Sequence, residues 1–381
     1  MFLSNQDVLD ITAWRQKLHA MPEVSGDEHR TAAEVVSFLA GTEPDELVSG
    51  LGGTGIAAVY QGNGPGPTVM FRAELDALPI EEITTVAHRS RIPGKSHMCG
   101  HDGHMAILAA LARAFGRQRP ASGRVILLFQ PAEENGAGAA AVLADPRFAA
   151  LNPDYAFALH NMPGIAFGHS WIKAGPANCA SCGLKIKLSG KTAHASMPET
   201  GTSPAPAVAD LIPALTALRT GSLDAADLVL TTITHVSVGE PAFGIAPGSA
   251  EVWVTLRTVS NEAMAGLRSK AEALASEAAD RYGLTVDFSY HDEFRHCTND
   301  PGAVSVIRAA LDAEGLPHEA GETFRASEDF GRFGERSKSA MLFLGAGAGY
   351  PALHNPDYDF PDGLIPIGAR IFMRIARDLL G

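Results

Sequence analysis

A chain of 381 residues is long for one compact core and predicts two, or one large core with a sizeable insertion. With 46% hydrophobic and 19% charged residues it has a globular balance, and its formal net charge of -13 argues against a surface that tracks nucleic-acid phosphates. No stretch approaches the roughly eighteen apolar residues of a membrane span, no leader-like pattern opens the chain, and its four cysteines cannot form a small secreted disulfide scaffold. The expectation is a cytoplasmic protein with neither membrane nor nucleic-acid partner.

In chain order, Ser4 can cap a helix through Trp14, Leu18 and His19, and 27 to 39 forms a second with Ala33, Val36 and Leu39 on one side. The apolar runs GIAAVY (55 to 60), TVMFR (68 to 72), RVILLF (124 to 129) and YAFAL (155 to 159) read as buried strands, with a helix from about 102 to 115 among them. From about 179 the texture changes. LKIKLSG (184 to 190), a helix near 203 to 218, β-rich runs at 228 to 238 and 249 to 258, a helix at about 261 to 280 and a strand at 283 to 289 give the order βαββαβ, a ferredoxin-like arrangement complete in itself. A helix near 301 to 314, the strand MLFL (341 to 344) and a helix at about 363 to 380 then rejoin the first core. The predicted fold is α/β: a mixed sheet sandwiched by helices, formed by 1 to 178 and 292 to 381, with an inserted α+β domain at 179 to 291.

Two patterns mislead. Gly50, Gly52 and Gly55 match G-x-G-x-x-G, but they precede a strand rather than follow one, so they read as a turn and not a nucleotide cradle. Cys179 and Cys182 form C-A-S-C, but no second pair follows at zinc-finger spacing and no thioredoxin-like strand and helix surround them.

The densest chemical signal is HMCGHDGH (97 to 104). Cys99 and His101, two apart where a loop enters a helix, can aim thiolate and imidazole at one divalent transition metal. His97 and His104 serve as well for capping or solvating a helix end as for ligation. FQPAEEN (129 to 135) puts Glu133 and Glu134 where a strand gives out; on an extended segment they would point opposite ways, so that one binds metal and the other holds a water. His160 ends YAFALH, and His354 sits in the loop YPALHNPDYDF; alone, each would more often be structural. Together Cys99, His101, Glu134, His160 and His354 make five ligands, about right for two metals sharing a bridge plus a water. Asp76, past the strand TVMFR, can hydrogen-bond a ligating histidine or cap a turn before Pro79.

RAELDALPIEE, HMCGHDGH, FQPAEE, GKTAHASMP, SEDF and LHNPDYDF, in that order, resemble the M20 metallopeptidase family, within it the aminoacylase and hippurate-hydrolase group that includes the auxin-conjugate hydrolases. The resemblance runs from LHAMPE (18 to 23) to the C-terminal helix. It implies a zinc-exopeptidase-like catalytic domain interrupted by a lid domain through which subunits form a homodimer. It also implies that the five ligands hold two divalent ions with Cys99 bridging, that Glu133 is the general base, and that His194 is a lid histidine reaching across the dimer toward the substrate carbonyl. By the same resemblance Arg257, at the end of VTLR, lies where the family often keeps a basic residue for the substrate carboxylate. The chain departs from the pattern at Gly244, Ile245, Ala246 and Pro247, where family members commonly read Asn-Val-Ile-Pro, and at Glu74, where Asp is usual.

The implied function is hydrolysis of N-acyl amino acids, N-acetyl, N-benzoyl or similar, by a metal-activated water that Glu133 deprotonates. Zinc or manganese suits the ligands best, and cobalt or nickel also fits. A dipeptidase would share every site residue, and a metal-binding scaffold would have no need of an unligated base.

Overall fold

The computed structural model describes residues 2 to 221 and 227 to 381. They form two compact units, one of Met1–Ala177, Cys297–Glu322 and Asp329–Gly381, the other of Asn178–His296 and Thr323–Glu328. Asn178, 292 to 296 and 323 to 328 thus go with the second unit, where the strand pattern puts them in the first. The last predicted strand runs on to Phe294, and the segment 323 to 328 bears no periodic pattern to betray its place.

The first unit is built on an eight-stranded mixed sheet, in the spatial order Glu46–Leu51, Gly55–Gln61, Arg124–Gln130, Thr68–Glu74, Tyr155–Pro163, Lys338–Gly347, Ser170–Trp171 and His318–Glu319. The four central strands are mutually parallel, and Gly55–Gln61 joins them antiparallel. Their continuous apolar runs follow from burial on both faces: every residue of Thr68–Glu74 is buried. Val125, Leu127 and Phe129 face a core shared with the helices Asn5–His19, His101–Arg117 and Leu364–Leu380, while Ile126 and Leu128 are buried on the other side. The first helix begins as expected. Ser4 Oγ accepts from the Asp7 N–H at 3.2 Å, and Asp7 reaches back to the Ser4 N–H at 2.8 Å, a reciprocal cap.

The glycine-rich segment after residue 49 is the predicted turn, closing the hairpin between Glu46–Leu51 and Gly55–Gln61. The strand Glu46–Leu51 itself, an edge with little buried surface, and the two-residue strands Ser170–Trp171 and His318–Glu319 carry no apolar run and are not legible in the sequence.

In the second unit the four-stranded antiparallel sheet has the order Val229–Val238, Ser249–Thr258, Ala180–Ser189, Thr285–Phe294. The helices Ala205–Thr216 and Asn261–Tyr282 pack on it through Leu211, Leu215, Leu267 and Ala271. This is the ferredoxin-like βαββαβ order. Among the described residues no helix is long and apolar enough to cross a membrane.

One packing contact bears on the site. A Cβ at Gly103, in the helix His101–Arg117, would lie 2.2 Å from the Phe360 ring. Alanine gains up to about 1 kcal/mol of helix propensity over glycine, but overpacking a core typically costs about 1–3 kcal/mol. Gly103→Ala is therefore expected to lower the urea midpoint of unfolding despite the better helix former; a raised midpoint would show that the ring yields freely.

Candidate metal centre

The carboxyl ends of the central parallel strands and the start of the helix His101–Arg117 gather one cluster in the first unit. Gly100 has φ +90°, and a Cβ there would lie 2.4 Å from Asn161 Oδ1, so glycine alone lets Cys99 and His101 turn in together. His160, on Tyr155–Pro163, brings Nε2 to 3.4 Å from Cys99 Sγ. His354 Nε2 lies 3.5 Å from Glu134 Oε2. Its backbone is left-handed at φ +64°, held by its N–H on the Met98 carbonyl at 2.9 Å, which pins this distant loop beside Cys99.

Glu133 and Glu134 differ from the extended geometry expected of them. Ala132 has φ +49° and the chain turns, so the carboxylates do not point opposite ways: Glu133 Oε2 and Glu134 Oε1 each lie 3.8 Å from His101 Nε2.

Several donor groups result, His101 with Glu133 and Glu134 and His101 with Glu74 and His104 among them, and two trios share Cys99: Cys99 with His101 and His160, and Cys99 with Glu134 and His354. Within each, the donor atoms lie within 4.8 Å of one another. Cys99 is common to both, and Glu133 belongs to neither.

Hydrogen bonds at the other ring nitrogens show what the trios fit. His101 Nδ1–H donates to the Asp76 carbonyl at 2.9 Å and His160 Nδ1–H to the Asn161 carbonyl at 2.7 Å, so each ring turns Nε2 inward. His101 Nε2 has no hydrogen-bond partner. Burial alone would push His101 down, but the carboxylates of Glu74, Asp76 and Glu134 outweigh it and hold the ring up at about 10, so these carboxylates favour a cation at Nε2, a proton or a metal ion in its place. Burial, reinforced by Glu134, Glu133 and Glu74, raises the Cys99 thiol well above its ordinary value. His160 is pushed down to about 3 by burial and by His104. Buried lone pairs and carboxylates facing one another are costly unless a cation sits among them, and thiolate, imidazole and carboxylate are donors for a divalent transition metal. The residues present therefore fit such an ion at each trio.

Other candidates fall around this cluster. Asp76 meets His101 chiefly through its backbone carbonyl, its carboxylate Oδ1 lying at 3.5 Å, while Oδ2 accepts from the Glu134 N–H at 2.9 Å and Ser25 Oγ at 2.7 Å. His104 neither caps nor faces solvent: Nδ1 meets Glu74 Oε2 at 2.6 Å and Nε2 accepts from the Asn161 N–H at 3.2 Å. Glu74 also binds the buried Arg72, which reaches Asp329 of the SEDF motif at 2.7 Å. His97 is buried, pushed down to about 4 by burial first of all, and joins neither trio.

His194 and Arg257 belong to the second unit. His194 is exposed on the strand Ala193–His194, which pairs with Ile245–Ala246; Nδ1 accepts from the Ser196 N–H at 3.2 Å, leaving Nε2–H outward in the neutral ring. Arg257 donates to the Arg325 carbonyl and to Ser327 Oγ at 2.7 Å.

Residues 70–378 match the model of peptidase family M20/M25/M40. The chain is 29% identical over 367 residues to an N-acetyl-L-cysteine deacetylase of Bacillus subtilis, covering 96% of this chain and 87% of that one. It is also 29% identical over 366 residues to an N-acetyldiaminopimelate deacetylase of Listeria monocytogenes, covering 96% and 98%. Among solved structures, a dinuclear metal-binding peptidase of the M20 family from Bacillus subtilis superposes with a TM-score of 0.82 at 26% identity, covering 99% of each chain. The chain belongs to peptidase family M20/M25/M40. It is an enzyme of the hydrolase class, as the resemblance implies.

Beside the trios lies a charged group that no local motif announces: Arg15, His19 and Asp102 are completely buried, with His19 Nδ1 on Asp102 Oδ2 at 2.8 Å and Nε2 3.3 Å from Glu82. Arg15 and His19 share one helix face by their four-residue spacing, the one hint available. Burial pulls His19 down, but Asp102 and Glu82 outweigh it and hold the ring up at about 9. A raised histidine stabilises the fold fully below its unfolded pKa of about 6.5, and that contribution is lost as pH rises through about 9. The wild-type thermal midpoint should therefore fall between about pH 6.5 and 9 more steeply than that of His19→Gln; parallel curves would show that His19 is not held protonated.

Proposed function

We propose that this chain hydrolyses the amide bond of N-acyl amino acids, with Cys99, His101 and His160 holding one divalent ion, Cys99, Glu134 and His354 a second, and Glu133 acting as general base. The observation that carries it is the pair of trios with Cys99 in common and Glu133 beside them, 3.8 Å from His101 Nε2. The names of the two deacetylases, whose substrates are N-acetylated amino acids, support the substrate class.

The ions would supply the Lewis acidity that makes water a nucleophile at neutral pH and draws electron density from the amide carbonyl. Glu133 takes the proton of the attacking water and returns it to the leaving amine nitrogen as the C–N bond breaks. The Asp76 and Asn161 carbonyls keep the two histidines in the tautomer that presents Nε2. His194, reaching across the dimer, donates from Nε2 to the carbonyl oxygen as it gains negative charge, and Arg257 is the basic residue for the substrate carboxylate. Zinc or manganese suits the donors best and cobalt or nickel also fits, the second unit is a lid that also forms the homodimer, and the compartment is the cytoplasm.

Purified protein should carry about two divalent ions per chain and release amino acid from N-acyl amino acids in preference to dipeptides. Chelation should abolish the activity and metal add-back restore it; a metal-free chain with no cleavage under any add-back would end this reading. Glu133→Gln should keep its metal and lose about 100- to 10,000-fold in kcat. His194→Ala, with metal content unchanged, should lose about 100- to 1,000-fold in kcat, as when one oxyanion donor is removed, and near-normal turnover would take His194 out of the mechanism.

A further inference from the structure

Arg15 stands outside both trios, yet its contacts lead to both. Nη1 reaches Asp102 Oδ2 at 3.1 Å and Asp359 Oδ1 at 2.6 Å, and Nε lies 3.0 Å from Asp362 Oδ1. Asp102 directly follows His101. Asp359 and Asp362 lie on the segment that follows His354, between that residue and the helix Leu364–Leu380. One guanidinium, supplied by the helix Asn5–His19, thus grips the chain beside a donor of each trio, although Arg15 and Asp359 are 344 residues apart in sequence.

A buried ion network is weak evidence for stability, because packed apolar groups often serve as well. What apolar groups do not offer is a planar guanidinium: Nη1 lies between Asp102 and Asp359 while Nε lies beside Asp362, so one rigid fork of nitrogens faces three carboxylates at once. We propose that Arg15 is a positioning residue that sets the placement of His354 relative to His101, and through it the spacing of the two metal positions. The inference rests on the two-ion reading given under Proposed function.

The test measures, on the full-length protein, metal content and the affinity of each ion by chelator competition, for wild type, Asp359→Asn and Arg15→Lys. Asp359→Asn removes the charge of the shorter of the two Arg15 contacts to the His354 segment, together with that of the His88 contact at 2.9 Å, at a residue whose side chain is 18% exposed. It is expected to weaken one ion by about 10- to 100-fold, the range for groups that orient metal ligands, and to leave the other within about threefold. Arg15→Lys keeps the charge and loses the fork, so it should weaken both ions and not restore wild-type binding.

Unchanged affinities in Asp359→Asn, or equal weakening of both ions alongside a lowered thermal midpoint, would overturn the positioning role and show a structural one. So would wild-type binding by Arg15→Lys. If Arg15→Lys does not fold, Asp359→Asn decides alone. A wild-type chain that binds no pair of ions overturns the two-ion reading and this inference with it; a wild-type chain that binds both while Asp359→Asn binds them equally well overturns this inference only.

Discussion

Negative charge packed into a small buried volume is the constraint on which the first unit depends. Glu74, Asp76 and Glu133 are buried around His101, with Cys99 and Glu134 beside them. Two like charges 4 Å apart repel by about 4 kcal/mol even at an effective dielectric of 20, while a whole domain is stable by only about 5–15 kcal/mol. A few uncompensated pairs would unfold it. Fixed cations answer part of this load: Arg72 takes Glu74 and Asp329, and Arg15 takes Asp102.

The sheet ties this electrostatic problem to geometry. Glu74 and His160 lie near the carboxyl ends of neighbouring parallel strands, and the Asp76 carbonyl, Glu133 and Glu134 lie just past such ends, outside the strand ladders. The Asp76 carbonyl is therefore available to take the His101 Nδ1 proton, and the Asp76 carboxylate takes the Glu134 N–H. A single residue past the strand Thr68–Glu74 orients one donor from each trio. His104 does comparable work for the next strand, gripping Glu74 with one nitrogen and the Asn161 backbone with the other, which steadies the residue after His160.

How much of this was legible in the sequence depended on distance along the chain. The close spacing of Cys99 and His101, the apolar runs that end at Glu133 and His160, and the βαββαβ order of the second unit are local patterns, and the fold was readable from them. The direction of the Glu133 and Glu134 side chains was not, because it turns on a left-handed Ala132 that no residue preference announces. The Arg15 hub was hidden for the opposite reason: its partners are far apart in sequence, and a charged residue in a helix reads as solvated surface until the tertiary fold closes over it. Segments 292 to 296 and 323 to 328 were misplaced because domain membership is a matter of contacts, not of pattern.

The loop beside His194 shows why family membership does not carry a substrate with it. Ile245 pairs with His194, and the Ala195 N–H donates to the Gly244 carbonyl at 3.0 Å, so a backbone ladder ties Gly244 and Ile245 to the His194 strand. Gly244 does not have a positive φ, and a Cβ there would meet nothing within 4 Å. Glycine is thus not demanded by the backbone at this position, and an asparagine, as the family commonly carries, would fit the same fold. The side-chain chemistry next to His194 can change while the ladder stays intact, whereas the trios in the first unit cannot change a donor without disturbing the charge balance that surrounds them.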